Sequence, residues 1–439
     1  ALENRLAWLV HIISTVIKGR LLSSSAAAET EAVDGDLAAR AWALSASAGI
    51  PAAAAARSRF RSRARLELAL LSFCQAFRKV YVGDQAGSVP AAKVYARLGP
   101  AVGLTDARGV LGAMVGKVGS NLAAFGGTSP AVVDATLTLF SDLAAGYASG
   151  KVLLTLDSTQ FLLTADPAVS FPALLASPGA GRARSALHAT LARLLFMDPA
   201  PPVPFRSFVA PLDRALTAIG VAAARAGVTG IGGSSPDQPP PPPQTASAPI
   251  AVPDPASLRS AVPAPALAGV LRDLRGIASA TNSRRAFAQL FDWLHPSHAR
   301  ALAAALAAWA PDPAVCTPAL KLWAELALNK AQRLAFEASS PNGILLFREV
   351  SRAVVTFGAA ALGAGPPAPG TGDPYTLRYK PTSAALAALT RALAGGYANF
   401  GVFALYGDPA LADGLRAGLG LALAIPLADV LSHKKVAKS

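Results

Sequence analysis

Apolar residues recur along most of the chain at intervals of three and four positions. Between residues 66 and 81 the charged side chains lie off one apolar stripe, whose members are Leu66, Leu70, Phe73, Phe77 and Val80. This spacing places one apolar face along a helix, so it predicts an amphipathic α-helix. The same pattern is found in four further segments, residues 110–125, 132–147, 319–328 and 384–393.

Proline and aspartate mark where several of these helices begin. Pro296 follows His295, and Pro313 follows Asp312, which is the chemistry of a helix start. No run of residues alternates between apolar and polar in the manner of a strand. Helical pairs repeat about every 40 to 45 residues, a period typical of HEAT-type repeats. The sequence therefore predicts an all-α fold, a right-handed α-solenoid of stacked antiparallel helix pairs that runs continuously over residues 1–439.

Three segments interrupt the helical pattern. Residues 23–65 are rich in alanine, serine and arginine, with arginine at every second position from 57 to 65, and they are predicted to form a solvated loop insertion. Residues 230–257 contain the proline run 239–243 and are predicted to be a disordered, polyproline-like insertion. Residues 363–373 are predicted to be a shorter Gly/Pro loop. A proline run could bind an aromatic groove of a partner, but a spacer between repeats is the favoured interpretation.

Composition bounds the class of protein. Hydrophobic residues make up 52% of the chain and charged residues only 15%, which excludes wholesale disorder. The aromatic residues Trp8, Phe73, Phe77, Phe291, Trp293, Trp323 and Phe347 are expected to lie mostly buried between helices. The apolar stretches 353–368 and 418–431 are too short and too interrupted for a membrane span, so no membrane insertion is expected.

Net charge and cysteine content say little about function. The formal net charge of +14 would suit an anionic partner such as nucleic acid. Arginine-rich composition with abundant alanine, glycine and proline also arises from GC-rich coding, however, so the charge does not decide the function. Cys74 and Cys316 lie far apart in helical contexts, which indicates neither a disulfide framework nor a metal site and favours a reducing, intracellular compartment.

Motifs of catalysis are missing from the sequence. His295 and His298 are three residues apart, but Pro296 lies between them and no third ligand is near. The glycines at 227–233 follow no strand and precede no Lys-Ser/Thr pair, so they resemble a linker and not a phosphate loop. There is no Gly-x-Ser-x-Gly elbow and no carboxylate pair suited to acid–base chemistry. We therefore expect a binding protein that is not an enzyme, with no cofactor, no metal and no small-molecule substrate.

Several specific sequence blocks are ordered along nearly the whole chain. The longest is Ser-Ser-Pro-Asn-Gly-Ile-Leu-Leu-Phe-Arg-Glu at 339–349. The other blocks are residues 3–10, 66–73, 77–85, 271–278, 291–297, 320–322, 324–326, 397–403 and 405–408. Together these blocks resemble the exportin-7 family of the importin-β superfamily.

The resemblance implies a nuclear transport receptor built from HEAT repeats. Receptors of this family bind folded protein cargo and Ran-GTP, interact with nuclear pore proteins, and shuttle between nucleus and cytoplasm. The chain has no starting Met and resembles the middle of such a receptor, so we expect a piece of a longer protein. The inserted segments and the basic charge depart from the family pattern, and the charge leaves cargo preference open.

A possible binding site follows from two of these blocks. Arg348 and Glu349 fall in the second turn of a helix expected to begin at Ile344, and the neighbouring repeat carries Arg272, Asp273 and Arg275. On an inner face, charges of both signs would fix the register of cargo or Ran.

The alternative for Arg348 and Glu349 is a local ion pair beside an inter-helix turn. In that interpretation the Pro-Asn-Gly corner at 341–343 is turn chemistry, with Gly343 able to take positive φ.

Two other functions stay open from the residues alone. One is a HEAT-repeat interaction scaffold outside transport. The other is a nucleic-acid-binding helical repeat, which only the basic charge suggests; nucleic acid is therefore not the expected partner. The quoted blocks favour the transport receptor.

Overall fold

The computed structural model is helical wherever it has regular secondary structure. It describes residues 2–22, 28–47, 57–82, 91–177, 179–229, 248–337, 339–364, 373 and 375–432. Within these ranges there is no β-strand. The predicted all-α class is confirmed.

The chain divides into two compact units, Ala1–Val209 and Ala210–Ser439. The first unit contains eleven helices among its described residues and the start of a twelfth. They are α1 (Leu2–Gly19), α2 (Ala28–Ser47), α3 (Arg57–Tyr81), α4 (Ala92–Val102), α5 (Ala107–Phe125), α6 (Pro130–Leu143), α7 (Tyr147–Leu154), α8 (Asp157–Thr164), α9 (Pro167–Ser170), α10 (Pro172–Ala176), α11 (Gly181–Met197) and α12 (Phe205–Arg225).

Helices of the first unit pack in series. α1 packs on α3, α3 on α6, and α6 on α11, while α5 packs on α6, α8 and α10. The stripe predicted between residues 66 and 81 forms the inner face of α3, where Phe73, Phe77 and Val80 have no exposed surface. Glu67, which lies off this stripe, is buried as well and forms an ion pair of 2.5 Å with Lys117 of α5.

The prediction of a loop over residues 23–65 is wrong for the part that the structure describes. Residues 28–47 form α2, and α3 begins at Arg57. Two buried positions of α2 carry carboxylates and not apolar side chains, so the sequence of α2 shows no complete apolar stripe. Asp34 accepts hydrogen bonds from Arg20 (2.8 and 2.9 Å) and from the Tyr81 hydroxyl (2.6 Å), and Glu31 accepts one from the backbone N–H of Lys93 (2.6 Å). These pairs allow the carboxylates to be buried.

Trp8 is the second correction in this unit. It is 72% exposed and not buried as expected. α1 turns a different stripe inward, whose members are Ala7, Val10, Ser14 and Ile17. Trp8 lies just outside that stripe, so it faces solvent although it follows a buried position.

The second unit contains the end of α12 and ten further helices among its described residues. They are α13 (Pro255–Ala261), α14 (Ala264–Ala280), α15 (Arg284–Leu294), α16 (Ser297–Trp309), α17 (Pro313–Leu326), α18 (Asn342–Gly363), α19 (Lys380–Ala394), α20 (Gly401–Leu405), α21 (Ala410–Leu423) and α22 (Leu427–Ser432).

The helices of this unit pack in two rows of successive neighbours, which we call the first and the second ladder. In the first, α14 packs on α17 and α17 packs on α19; in the second, α16 packs on α18 and α18 packs on α21. The two ladders contact each other through α16–α17, α17–α18 and α18–α19. Serial contact between helices, each with its near neighbours, is the packing of a helical repeat protein. The right-handed sense and one continuous solenoid over residues 1–439 stay predictions.

Aromatic side chains fill the core of the second unit. Phe291, Trp323 and Phe347 are buried as expected, and Phe347 packs on the rings of Phe400 and Phe403, each with a centroid distance of 5.1 Å. Trp293 is only half-buried. At the end of the described chain five leucines are exposed at every fourth position of α21 and α22: Leu415, Leu419, Leu423, Leu427 and Leu431.

The two remaining insertions are described only in part. The proline run 239–243 and most of residues 363–373 lie outside the described residues. Residues 248–254 are irregular, and α13 begins at Pro255, inside the segment predicted to be disordered. That prediction is wrong for Pro255, Ala256 and Ser257, where the Asp254 carboxylate caps the helix by accepting from the backbone N–H of Ser257.

Candidate partner-binding surface

The helix α14 carries three of the five residues predicted to contact a partner. Leu267, Leu271, Leu274 and Ile277 form its buried stripe. Arg272 and Arg275 flank this stripe and are half-buried. Asp273 is buried, with 3% of its surface exposed, and interacts inside the protein, so its carboxylate is not available to a partner.

Two lysines from neighbouring helices lie close to these arginines. Lys321 is on α17 and Lys380 begins α19, and both are half-buried. The pKa of Lys321 is lowered, first by burial and then by the positive charges of Lys380, Arg275 and Arg272. All the charged side chains that act on Lys321 are thus basic. We call Arg272, Arg275, Lys321 and Lys380 the basic cluster.

Arg348 and Glu349 lie on α18, which belongs to the other ladder. The Arg348 guanidinium forms an ion pair of 2.5 Å with Asp408, a residue distant in sequence. The Glu349 side chain is buried and accepts two hydrogen bonds from Arg352 (2.6 and 2.7 Å). Local pairing, the alternative considered for both residues, is therefore found for Glu349 but not for Arg348.

His295 lies beside this carboxylate. Its Nε2 atom is 3.9 Å from Glu349, and its ring stacks on Phe291. Burial lowers the pKa of His295, the charge of Glu349 opposes the shift, and the charge of Arg352 reinforces it. The three polar side chains form an internal network, which the sequence did not indicate.

The five predicted residues thus fall into two groups on different ladders. Arg272 and Arg275 join the basic cluster, whereas Arg348 and Glu349 pair within the protein. Sequence reasoning missed Lys321 and Lys380. The available signal was weak: Lys321 is a lone charge between Leu320 and Leu322 in a predicted apolar helix.

Glycine is required at position 343 for a different reason from the one that its sequence context suggests. α18 begins at Asn342, so Gly343 is helical, and it is not among the described glycines with positive φ. A Cβ atom at this position would collide with the backbone carbonyl of Tyr397. Close approach of two chain segments, and not turn geometry, requires glycine here.

Another cationic side chain, that of Arg333, is buried in the second unit. Its side chain has no exposed surface and lies after the turn that follows α17. Burial lowers its pKa to about 10, an effect that the Glu325 carboxylate opposes. The guanidinium donates to the carbonyls of Ala278 (2.7 Å), Thr281 (2.9 Å), Leu328 (2.9 Å) and Glu325 and to the hydroxyl of Thr281 (2.8 Å). Arg333 therefore ties the end of α14 to the end of α17.

The described residues contain no assembled metal site and no activated thiol. No group of three or more His, Cys, Asp and Glu side chains there could hold a metal ion. Cys74 and Cys316 are both buried and free, and burial raises the pKa of each thiol to about 12. Neither cysteine is an activated nucleophile.

One helix in the described part of the chain, α12, is long and apolar enough to cross a membrane by length and composition alone. Its Asp213 carboxylate accepts hydrogen bonds from the Trp293 indole (3.0 Å) and lies 2.9 Å from Nε2 of His298. Burial alone would raise the pKa of Asp213, but the hydrogen bonds with Trp293 and His298 and the charge of His298 together lower it. Such pairing is typical of a helix packed within a protein.

Comparison with known proteins gives one consistent result. Residues 1–180 match the family model described as "Exportin-7-like, TPR domain". TPR and HEAT repeats are both stacked pairs of helices. The match therefore agrees with the helical repeat predicted from sequence.

Curated relatives match the chain over its whole length. Exportin-7-B of Xenopus laevis is 36% identical over 442 residues, which cover 100% of this chain and 37% of that protein. Ran-binding protein 17 of Homo sapiens is 35% identical with the same coverage, and Exportin-7 of Dictyostelium discoideum is 29% identical over 100% of this chain and 40% of its own length. The chain is therefore similar to the exportin-7 proteins along its whole length, and it spans about 37% of the length of the relatives it matches first.

Proposed function

We propose that this chain is part of a nuclear transport receptor that binds folded protein cargo and Ran-GTP. One observation carries the proposal: similarity over the whole chain to relatives whose names are exportin-7 and Ran-binding protein. Such a receptor acts by binding and not by chemistry. It shuttles between nucleus and cytoplasm and interacts with nuclear pore proteins on its way.

The architecture supports this role. Helices that contact only their near neighbours form an extended surface, and small rotations between successive helix pairs add up to a change of curvature. Ran-GTP and cargo are coupled when both prefer the same curvature, and the coupling is reciprocal. GTP hydrolysis on Ran then supplies direction, so the receptor itself needs no catalytic residue.

The contact residues are proposed in the same way. Arg272 and Arg275 contact cargo or Ran from the first ladder of the second unit. Arg348 has the same role only if the partner displaces or joins its ion pair with Asp408. Asp273 and Glu349 position their neighbours from inside the protein.

The experiment is a binding assay with the full-length gene product. The protein is immobilised and exposed to Ran loaded with a non-hydrolysable GTP analogue or with GDP. We expect binding of GTP-loaded Ran only, and tighter binding of cargo in its presence. A tagged copy should accumulate in the nucleus when export is blocked.

Two results would favour the other candidate functions. Partner binding that is indifferent to Ran and its nucleotide would indicate a HEAT-repeat scaffold outside transport. Binding to RNA or DNA that weakens steeply with salt, without any Ran binding, would indicate a nucleic-acid-binding repeat.

A further inference from the structure

We infer that the basic cluster receives an acidic patch on the surface of a folded protein partner. This inference rests on the proposed function, because it specifies the chemistry of one partner surface. It assigns contact roles to Lys321 and Lys380 beside Arg272 and Arg275.

The geometry of the cluster gives the first argument. Its four side chains come from α14, α17 and α19, which are successive rungs of one ladder. Arg272 and Arg275 are three residues apart and so lie on neighbouring positions of one helix face. All four side chains are half-buried, so the cluster is held by the packing of the ladder before any partner arrives.

Unbalanced charge gives the second argument. Lys321 lies within electrostatic reach of three other cations. Arg272 has a further interaction within the protein. Arg275, Lys321 and Lys380 form no hydrogen bond or ion pair with any part of the chain that the structure describes, and the one acidic neighbour on α14, Asp273, is buried. Like charges held together oppose folding. Carboxylates of a partner would relieve this repulsion on binding.

The shape of the cluster favours a protein over a nucleic acid. Proteins that bind single strands combine a basic groove with exposed aromatic side chains on which bases stack. None of the large exposed hydrophobic side chains in the described chain lies on α14, α17 or α19. A half-buried group of cations from three packed helices fits a patch of carboxylates better than a continuous phosphate backbone.

Each cation has a distinct part in recognition. A guanidinium binds a carboxylate through two parallel hydrogen bonds, which sets the orientation of the partner. An ammonium acts as a point charge with free rotation and tolerates several positions of its carboxylate. Arg275 would therefore fix the register, and the two lysines would contribute attraction, whereas Arg272 also interacts within the protein.

The test uses the full-length protein and two folded probes of known charge. One probe is a small globular protein whose surface has been made strongly acidic; the other is its neutral version. The variant Lys321→Gln/Lys380→Gln removes two charges without adding any. Arg225→Gln/Arg284→Gln removes two charges from exposed positions outside the cluster and is the matched control.

We expect the acidic probe to bind the unchanged protein and the neutral probe not to bind. Lys321→Gln/Lys380→Gln should weaken binding of the acidic probe by about tenfold or more, whereas the control should change it by less than about twofold. The cluster variant should unfold at the same temperature as the unchanged protein or at a higher one, since like-charge repulsion is relieved. Lys321→Arg/Lys380→Arg should retain binding.

If the cluster variant and the control lose binding of the acidic probe to the same extent, the inference is overturned, because net charge alone would then explain binding. If the cluster variant binds a short single-stranded RNA more weakly but binds the acidic probe as well as the unchanged protein does, the inference is overturned in favour of a nucleic-acid partner. Binding of GTP-loaded Ran is measured on every variant. If Ran binds but the acidic probe does not, only this inference fails; if Ran does not bind the unchanged protein, the proposed function fails.

Discussion

Replacing Arg333 with leucine should destabilise the second unit more than almost any surface change. The guanidinium has no exposed surface and satisfies carbonyls at the ends of α14 and α17. Leucine fills part of the space but donates no hydrogen bond. The carbonyls of the last helical turns then lose their buried partners.

The magnitude follows from the number and burial of these bonds. A buried acceptor left unpaired costs about 1–3 kcal/mol, although relaxation and water entry reduce the sum. The guanidinium also lies 3.7 Å from Glu325, but Lys330 lies 3.4 Å from the same carboxylate, so the loss of this pair costs less than the roughly 3–5 kcal/mol of an isolated buried pair. We therefore expect Arg333→Leu to lower the free energy of unfolding by about 3–5 kcal/mol, and Arg333→Lys to recover only part of it.

The assay is urea unfolding followed by helical circular dichroism, with hydrogen exchange of the amides in α14 and α17. Because the chain has two units, a single transition is not assumed, and exchange assigns the loss to the second unit. Arg284→Leu, at an exposed position, is the control and should change stability by less than about 0.5 kcal/mol. A loss below about 1 kcal/mol for Arg333→Leu would refute the reasoning.

Three further outcomes can be measured on the same protein. The pKa of His295 is lower in the folded state than in the unfolded chain, where it is near 6.5. The free energy of unfolding should therefore fall as pH drops through 6.5 towards the lower folded pKa. His295→Gln should flatten that pH dependence, and an unchanged slope would contradict the prediction. Gly343→Ala should lower unfolding free energy by about 1–3 kcal/mol, because its methyl group meets a neighbouring backbone carbonyl; Gly363→Ala, which has open space, should not destabilise. Cys74 and Cys316, with thiol pKa values of about 12, should react with a thiol reagent at pH 8 only in denaturant, and rapid native labelling would contradict their burial.

Periodicity predicted the helices whose buried stripes are apolar. α3 and α17 follow the predicted pattern because their inward positions carry Leu, Phe and Trp. α2 escaped prediction because its inward positions include Glu31 and Asp34. A carboxylate in a stripe looks like solvent exposure until its partner from another helix is known.

The basic cluster shows the same limit for function. Spacing along one helix places Arg272 and Arg275 on one face, and this part could be derived from sequence. Lys321 and Lys380 lie far from them in sequence, and only the packing of α14, α17 and α19 brings the four together. Glu349 shows the reverse case: it looks available in the sequence, but Arg352 binds it inside the fold.

The leucines exposed along α21 and α22 bear on how the polypeptide behaves in solution. Three exposed leucines on α21 and two on α22 add apolar surface through which copies of the chain can associate, while the net charge of +14 keeps those copies apart at low ionic strength. Salt shortens the range of that repulsion to about 10 Å at 0.1 M and leaves the apolar surface unaffected. Colloidal stability of this polypeptide should therefore decline as salt is added, so a dilute, low-salt buffer is the medium in which single molecules persist.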